Sequence, residues 1–146
     1  MEESISLLRK LQKEFACKEV DLRHYSPLTL AFLGDCVFDL IIRTVIVERG
    51  NRAAESLHKQ KSAIVKAQTQ AKIAEVLLDQ LSEEELAVYK RGRNAKSYST
   101  AKNASVTDYR KATGLEALLG YLYLKNDEDR IIVLIKEAVE RMDIEL

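Results

Sequence analysis

The sequence predicts an all-α protein that forms one domain of six or seven helices over residues 1–146. Apolar residues recur at helical spacing along most of the chain. No segment combines the alternation, turn dipeptides and β-branched residues that are typical of paired strands. The length of 146 residues, with 47% hydrophobic and 32% charged residues, suits one globular domain with one hydrophobic core. We find no internal repeat and no linker that would divide it.

The predicted helices of the N-terminal part begin with a short amphipathic segment over 4–15, which a polar connector follows. Ser26 as N-cap and Pro27 at the first helical position begin a long apolar helix. Gly50 fits the C-terminal cap of that helix, because glycine commonly follows the last helical residue.

Three further helices are predicted in the middle of the chain. One begins within 51–60, and a longer one extends over 62–81. Ser82 and Glu85 have the spacing of a capping box, in which each side chain bonds to the backbone of the other residue. That box predicts a third helix over 82–91.

The segment 92–107 interrupts the helical pattern, because it is polar, rich in Ser, Thr and Asn, and has no apolar period. We predict a loop there. Ser105 and Asp108 can cap the following helix, predicted over 108–124, and a final helix continues to near the C-terminus.

The charge balance excludes a global attraction to nucleic acid or membranes, because 23 basic residues match 23 acidic ones. The apolar stretch 28–47 contains three charged residues, too many for a comfortable membrane span, and the acidic N-terminus is unlike a signal peptide. We therefore predict a cytoplasmic protein that binds no membrane. Cys17 and Cys36 form no disulfide framework, and we expect small buried or half-buried thiols in a reducing cytosol.

Asp35 is the first unusual residue, because a helical wheel places it in the apolar stripe with Ala31 and Phe38. Asp39 has Arg43 four residues later, in the favourable order for a helix ion pair. Asp35 has no cation three or four residues away. A carboxylate in such a place is protonated, meets a distant cation or binds a metal ion.

Glu116 repeats this pattern on a different helix, since it lies near Ala112 on an apolar face and has no local cation. Two such acids can converge on one Mg²⁺, which takes one or two protein carboxylates with water and substrate phosphate. The alternative is that each acid is structural and pairs with Arg or Lys. Gly34 and Gly120, beside these acids, permit close approach of a ligand, a packed helix or a dimer partner.

The second unusual feature is a concentration of basic residues. Seven basic residues and one acid, Asp108, lie between 90 and 111. Such runs are usually solvated faces, but cations among Ser, Thr and Asn side chains also suit contacts to phosphate and sugar. Carboxylates for a metal and a cationic segment for a polyanion together indicate metal-assisted phosphodiester hydrolysis.

Two stretches resemble motifs of the ribonuclease III domain. "LAFLGDCVFDL" resembles the signature helix of that domain, and "TGLEALLGYLYL" resembles its second acidic helix. The stretches "LHK", "VKAQTQAKI", "YKRGRNAK" and "AKN" are similar to the mini-ribonuclease III branch. The resemblance extends from 26 to about 124.

The resemblance implies an all-α ribonuclease III fold, a homodimer, and Mg²⁺-dependent endonucleolytic cleavage of double-stranded RNA that leaves 5′-phosphate and 3′-hydroxyl ends. The branch is associated with trimming of precursor 23S ribosomal RNA and lacks a double-stranded RNA-binding domain. We expect the same of this chain.

The resemblance also implies roles for individual residues. Asp35 matches the signature aspartate and Glu116 the glutamate of the second motif, and both are metal-binding and catalytic in the family. We expect the RNA backbone to be held by four basic residues: Arg91, Arg93, Lys96 and Lys102.

The chain departs from full-length enzymes at Leu28, Ala31 and Thr113, where those enzymes have acids, so fewer carboxylates remain to hold a second metal ion. Two alternatives stay open at this point. One is a non-catalytic ribonuclease III-like scaffold that binds RNA or ribosomal protein. The other is a helical interaction protein with structural acids.

Overall fold

The computed structural model describes residues 6–18, 20–96 and 105–146, and within these residues it contains helices and no strand. The predicted all-α class is therefore confirmed for the described part of the chain. Two short 3₁₀ helices, Leu22–His24 and Leu78–Gln80, lie between the longer elements. The α-helices of the described residues are α1 (Leu7–Glu14), α2 (Pro27–Arg49), α3 (Ala54–Val65), α4 (Ala67–Leu77), α5 (Glu83–Asn94), α6 (Val106–Leu124) and α7 (Glu128–Arg141).

Local capping explains why several helices begin where the sequence predicts. The Oγ of Ser26 accepts a hydrogen bond from the backbone N–H of Thr29 at 3.1 Å, and α2 ends at the predicted Gly50 cap. In α5 the backbone N–H of Glu85 donates to Ser82 Oγ at 3.1 Å. The backbone N–H of Ser82 donates to Glu85 Oε1 at 2.8 Å, which completes the capping box.

The helix predicted over 62–81 is wrong at its start, because the chain breaks between α3 and α4. Lys66 has an extended backbone, with ψ 154°, and stands between the two helices. The Nε2 of the buried Gln70 donates to the carbonyl oxygen of Val65 at 2.7 Å, which satisfies an acceptor at the end of α3. The apolar periodicity continues across this break, and it therefore gives no local sign of it.

The loop predicted over 92–107 is too long at both ends. α5 continues to Asn94, two residues past Gly92, and α6 begins at Val106. The residues 97–104 lie outside the described part of the chain. The helix predicted over 4–15 is shorter in the structure, where α1 is Leu7–Glu14. Residues 4 and 5 of that prediction lie outside the described part of the chain.

Helix α6 forms the centre of the core. It packs against α2, α4 and α5, and every residue from 112 to 122 is buried except Glu116, which is half-buried. A helix that is apolar on all sides requires neighbours on all sides. The second carboxylate therefore belongs to the most enclosed element of the fold.

Glycines let α2 approach α6 until their backbones touch. A Cβ on Gly34 would overlap the carbonyl oxygen of Glu116 and lie 2.8 Å from the backbone N of Gly120. A Cβ on Gly120 would overlap the carbonyl oxygen of Leu30 and lie 3.1 Å from the backbone N of Gly34. The close contact at Gly34 is therefore within the chain, rather than in a dimer interface. It brings Asp35 beside Glu116.

A second close contact joins α5 to α6. A Cβ on Gly92 would lie 2.7 Å from the Cβ of Ala117 and 2.9 Å from the Cα of Gly114. The C-terminal end of α5 is thus fixed against the residue that follows Glu116.

Two further observations concern the surface. Cys17 and Cys36 are both exposed, so the expectation of buried or half-buried thiols is wrong; Cys17 follows the end of α1, and Cys36 lies on the outward side of α2. Within the described residues, no helix has the length and apolarity to cross a membrane.

We expect Gly34→Ala to lower the free energy of unfolding by about 2 kcal/mol or more, because the added methyl group meets main-chain atoms that side-chain rotation cannot clear. Urea denaturation measures this change. Gly50→Ala is the matched control, since nothing lies within 4 Å of its Cβ position and its φ of 168° is open to any residue. The explanation is wrong if both variants lose the same stability.

Candidate functional site

Asp35 and Glu116 meet where α2 crosses α6. The exposed Asp35 lies on α2 and the half-buried Glu116 on α6, and their carboxyl groups are joined by a hydrogen bond. The sequence-predicted pair is therefore brought together, at the position that the contact of Gly34 with α6 defines.

The surroundings of Glu116 favour its protonated form. Burial, with the hydrogen bond to Asp35 and the negative charge of that residue, raises the pKa of Glu116 to about 9. At neutral pH Glu116 therefore carries a proton and donates it to Asp35 in a hydrogen bond. Two carboxyl groups that share a proton in this way are ready to bind a cation that replaces it.

The expected burial of Asp35 is wrong. Gly34 and Phe38 are buried and define the line along which α2 packs, while Asp35 and Phe32 are exposed. The reason is that α2 contacts α6 through the backbone at Gly34, so only the residues in line with Gly34 are covered by α6. Asp35 lies at the edge of this buried stripe, where one side of its carboxylate faces Glu116 and the other faces solvent.

Asp39 has the partner that its spacing predicts. Its Oδ2 lies 2.9 Å from Arg43 Nε, and its Oδ1 lies 4.0 Å from the Nζ of Lys61 on α3. Sequence reasoning missed Lys61, because a contact between helices leaves no signal in local spacing. Asp39 is thus paired with cations, and of these two aspartates Asp35 is the one that remains available to a ligand.

The carboxyl pair fits a Mg²⁺ ion by its chemistry, since this ion prefers oxygen ligands and takes one or two protein carboxylates, with water in its other positions. Within the described residues, no third His, Cys, Asp or Glu joins the pair to form a larger cluster. Thr113 is one of the positions at which the resemblance to full-length enzymes leads us to expect an acid, and its Oγ1 donates to the carbonyl oxygen of Tyr109 at 2.9 Å. The hydroxyl group is therefore engaged within its own helix.

The basic residues gather at the C-terminal end of α5. Arg91 and Lys96 are exposed, and Arg93 is half-buried with its guanidinium 5.8 Å from the ring centroid of Tyr89. Lys102, the fourth predicted RNA contact, lies outside the described residues. Arg91 and Arg93 thus lie in the last turn of α5, which packs against α6 beside Glu116, and Lys96 follows the end of that helix.

Sequence reasoning also missed an exposed apolar surface on α2, which we call the outer face. Phe32 is 84% exposed, and the surface continues through Leu40 and Val47. When a helix has apolar residues on two sides, the sequence reveals both apolar sides. It does not reveal which of the two packs against the core and which stays exposed. The outer face has no covering element among the described residues.

The comparisons with known proteins agree with this fold. The sequence model of the ribonuclease III domain matches residues 28–127. A crystal structure of a Fusobacterium nucleatum protein superposes with a TM-score of 0.76 at 34% identity, covering 85% of this chain and 99% of that one. The chain belongs to the ribonuclease III domain family.

Relatives at higher identity define the branch. The mini-ribonuclease 3 of Brevibacillus brevis is 45% identical over 128 residues, which cover 88% of this chain and 94% of the relative. The mini-ribonuclease 3 of Clostridium tetani is 44% identical over 120 residues, covering 82% of this chain and 80% of the relative. That of a Thermoanaerobacter species is 48% identical over 115 residues, covering 79% and 81%. The chain is thus an endoribonuclease of the mini-ribonuclease III branch.

The raised pKa of Glu116 predicts a pH-dependent stability in a buffer that contains a metal chelator. The folded chain holds this proton up to about pH 9, whereas the ordinary value is 4.5. The stabilising contribution is therefore complete below pH 4.5 and is lost as the pH rises through about 9. Glu116→Gln lacks this loss, so its stability relative to the wild type increases with pH.

Urea denaturation at several pH values tests this expectation. Glu48→Gln is the matched control, because Glu48 is an exposed residue of α2, and its difference from the wild type is expected to stay constant. Parallel pH profiles for Glu116→Gln and the wild type would contradict the assignment.

Proposed function

We propose that this chain is a Mg²⁺-dependent endoribonuclease that cleaves double-stranded RNA and leaves 5′-phosphate and 3′-hydroxyl ends. The hydrogen-bonded pair of Asp35 and Glu116 is the observation that carries the proposal. The ribonuclease III domain match and the mini-ribonuclease relatives support the reaction class. Precursor 23S ribosomal RNA is the substrate that the resemblance to this branch favours.

The residues of the site have distinct tasks in this mechanism. Asp35 and Glu116 would hold a Mg²⁺ ion, which would supply Lewis-acid stabilisation of charge on the scissile phosphate and lower the pKa of a bound water. Asp35 presents its carboxylate from the solvent-accessible edge of α2. Glu116 gives up its proton before both carboxylates can act as ligands, and its half-buried position keeps competing water from the inner side of the site.

Recognition of the RNA depends on a local charge, because the chain as a whole is neutral. Arg91 and Arg93 lie in the last turn of α5, and the exposed Lys96 follows just beyond the end of the helix. Cations that contact phosphates attract any sequence equally, while the shape and 2′-hydroxyl groups of the A-form helix distinguish double-stranded RNA. We therefore expect little sequence readout from these residues.

We further propose that the chain forms a homodimer through the outer face of α2. In a two-fold interface, residue i contacts j and j contacts i. Antiparallel pairing about residues 39 and 40 places Phe32 opposite Val47 of a second copy. A pocket of about 200 Å³ between α2 and α3, lined in part by Ile46, Val47 and Leu57, offers space there for an aromatic side chain. One site per copy then allows cleavage of both RNA strands.

Cleavage of long double-stranded RNA with Mg²⁺ tests the activity. We expect Asp35→Asn and Glu116→Gln to lower the rate by at least about 100-fold, since each removes a ligand charge from the site. Asp39→Asn is the matched control on α2 and is expected to retain activity, because Asp39 is paired with Arg43 and Lys61.

The other outcomes of this assay are informative. A wild type that binds RNA without cleaving it supports the non-catalytic scaffold. A wild type that does not bind RNA supports the helical interaction protein, and full activity of Asp35→Asn would remove that residue from the site.

Light scattering coupled to size exclusion tests the dimer. We expect Phe32→Glu to shift the protein from dimer to monomer, because the charge would be buried in an apolar interface. Phe15→Glu is the matched control, since Phe15 is 74% exposed at the end of α1 and does not belong to the outer face of α2. A monomeric wild type, or two variants that behave alike, would contradict the proposed interface.

A further inference from the structure

The two arginines at the end of α5 stand in different surroundings. Arg91 is exposed and has no hydrogen bond or ion pair within the described part of the chain. Arg93 is half-buried, with its guanidinium 5.8 Å from the ring centroid of Tyr89, one helical turn earlier. Its Nε donates to Asn94 Oδ1 at 3.3 Å. Contacts within the chain therefore restrict the side chain of Arg93 before any ligand binds, whereas Arg91 has no such contact among the described residues.

Tyr89 is itself held by the core. It is 2% exposed, and its ring packs on Gly114, where a Cβ would lie 2.8 Å from the ring atoms Cδ1 and Cε1. The adjoining contact of Gly92 with Ala117 fixes the same turn of α5 against α6. The ring thus has a fixed position relative to the helix that carries Glu116.

We propose that Tyr89 is a positioning residue, whose buried ring holds Arg93 ready to contact an RNA phosphate, on a helix that packs against the one carrying Glu116. This inference rests on the proposed cleavage of double-stranded RNA. An arginine that lies over an aromatic ring keeps N–H groups free at its edge, and these form paired hydrogen bonds to phosphate. Since the side chain of Arg93 is already restricted, binding costs less side-chain entropy than it does at Arg91.

Mutations can test separately the charge of Arg93 and the ring of Tyr89 that positions it. Arg93→Gln is expected to raise KM for double-stranded RNA about fivefold, to leave kcat within about twofold, and to lower the slope of affinity against salt concentration by about one. Tyr89→Leu is expected to raise KM by a similar factor. The double variant should show no further increase, because both changes remove one interaction.

Three variants separate positioning from a merely structural role. Tyr89→Phe keeps the ring and is expected to retain the wild-type KM. Arg91→Gln weakens binding independently, so its effect adds to that of Tyr89→Leu. Tyr121→Leu is the matched control: Tyr121 is also buried, with Lys125 at 5.8 Å from its ring centroid, but that pair lies outside the basic end of α5, and KM should stay unchanged.

A further pair covers the case in which Tyr89→Leu does not fold. Arg93→Lys keeps the charge but loses the planar group that lies over the ring, and it is expected to raise KM at least twofold. Arg91→Lys is expected to change KM less than that.

Additive effects of Tyr89→Leu and Arg93→Gln, a Tyr89→Phe variant as weak as Tyr89→Leu, or equal effects of lysine at 91 and 93 would each overturn the positioning role. In those cases the wild type still cleaves. A wild type without cleavage or binding of double-stranded RNA would instead overturn the proposed function, and this inference with it.

Discussion

The candidate site depends on the contact between the backbones of α2 and α6 at Gly34. The two carboxyl groups come from helices that are distant in sequence, and side chains as short as Asp and Glu reach one another only when the helix axes are close. The absence of a Cβ at Gly34 and Gly120 permits this distance. The hydrogen bond of the pair, the partial burial of Glu116 and the solvent access of Asp35 all follow from it.

The same contact creates a conflict between folding and function. Partial burial of Glu116 beside Asp35 disfavours its charged form, so the chain without a cation is most stable when Glu116 is protonated. Activity, in the proposed mechanism, needs the opposite state. A cation that binds the folded chain and not the unfolded one returns the lost stability by mass action. Ionisation of Glu116 at this site thus lowers the stability of the fold, and binding of a cation restores that stability.

The sequence predicted those features that local spacing encodes. The caps at Ser26 and Ser82 and the ion pair of Asp39 with Arg43 all lie within four residues, and all are present. The sequence did not reveal the break at Lys66, because the carbonyl oxygen of Val65 that it leaves free accepts a hydrogen bond from the side chain of Gln70, in the next helix. The helical wheel placed Asp35 in the middle of the buried stripe, because a wheel shows apolar positions but not how wide the helix contact is.

The basic end of α5 has a consequence that goes beyond direct contacts. Seven of the 23 basic residues but one of the 23 acids lie between 90 and 111, so the rest of the chain has six more acids than bases. Net charge therefore understates how strongly the chain can attract a polyanion, because a local basic segment acts at short range while the more distant acids are screened by salt. Such an attraction favours the approach of a polyanion to the end of α5 over its approach to the rest of the surface.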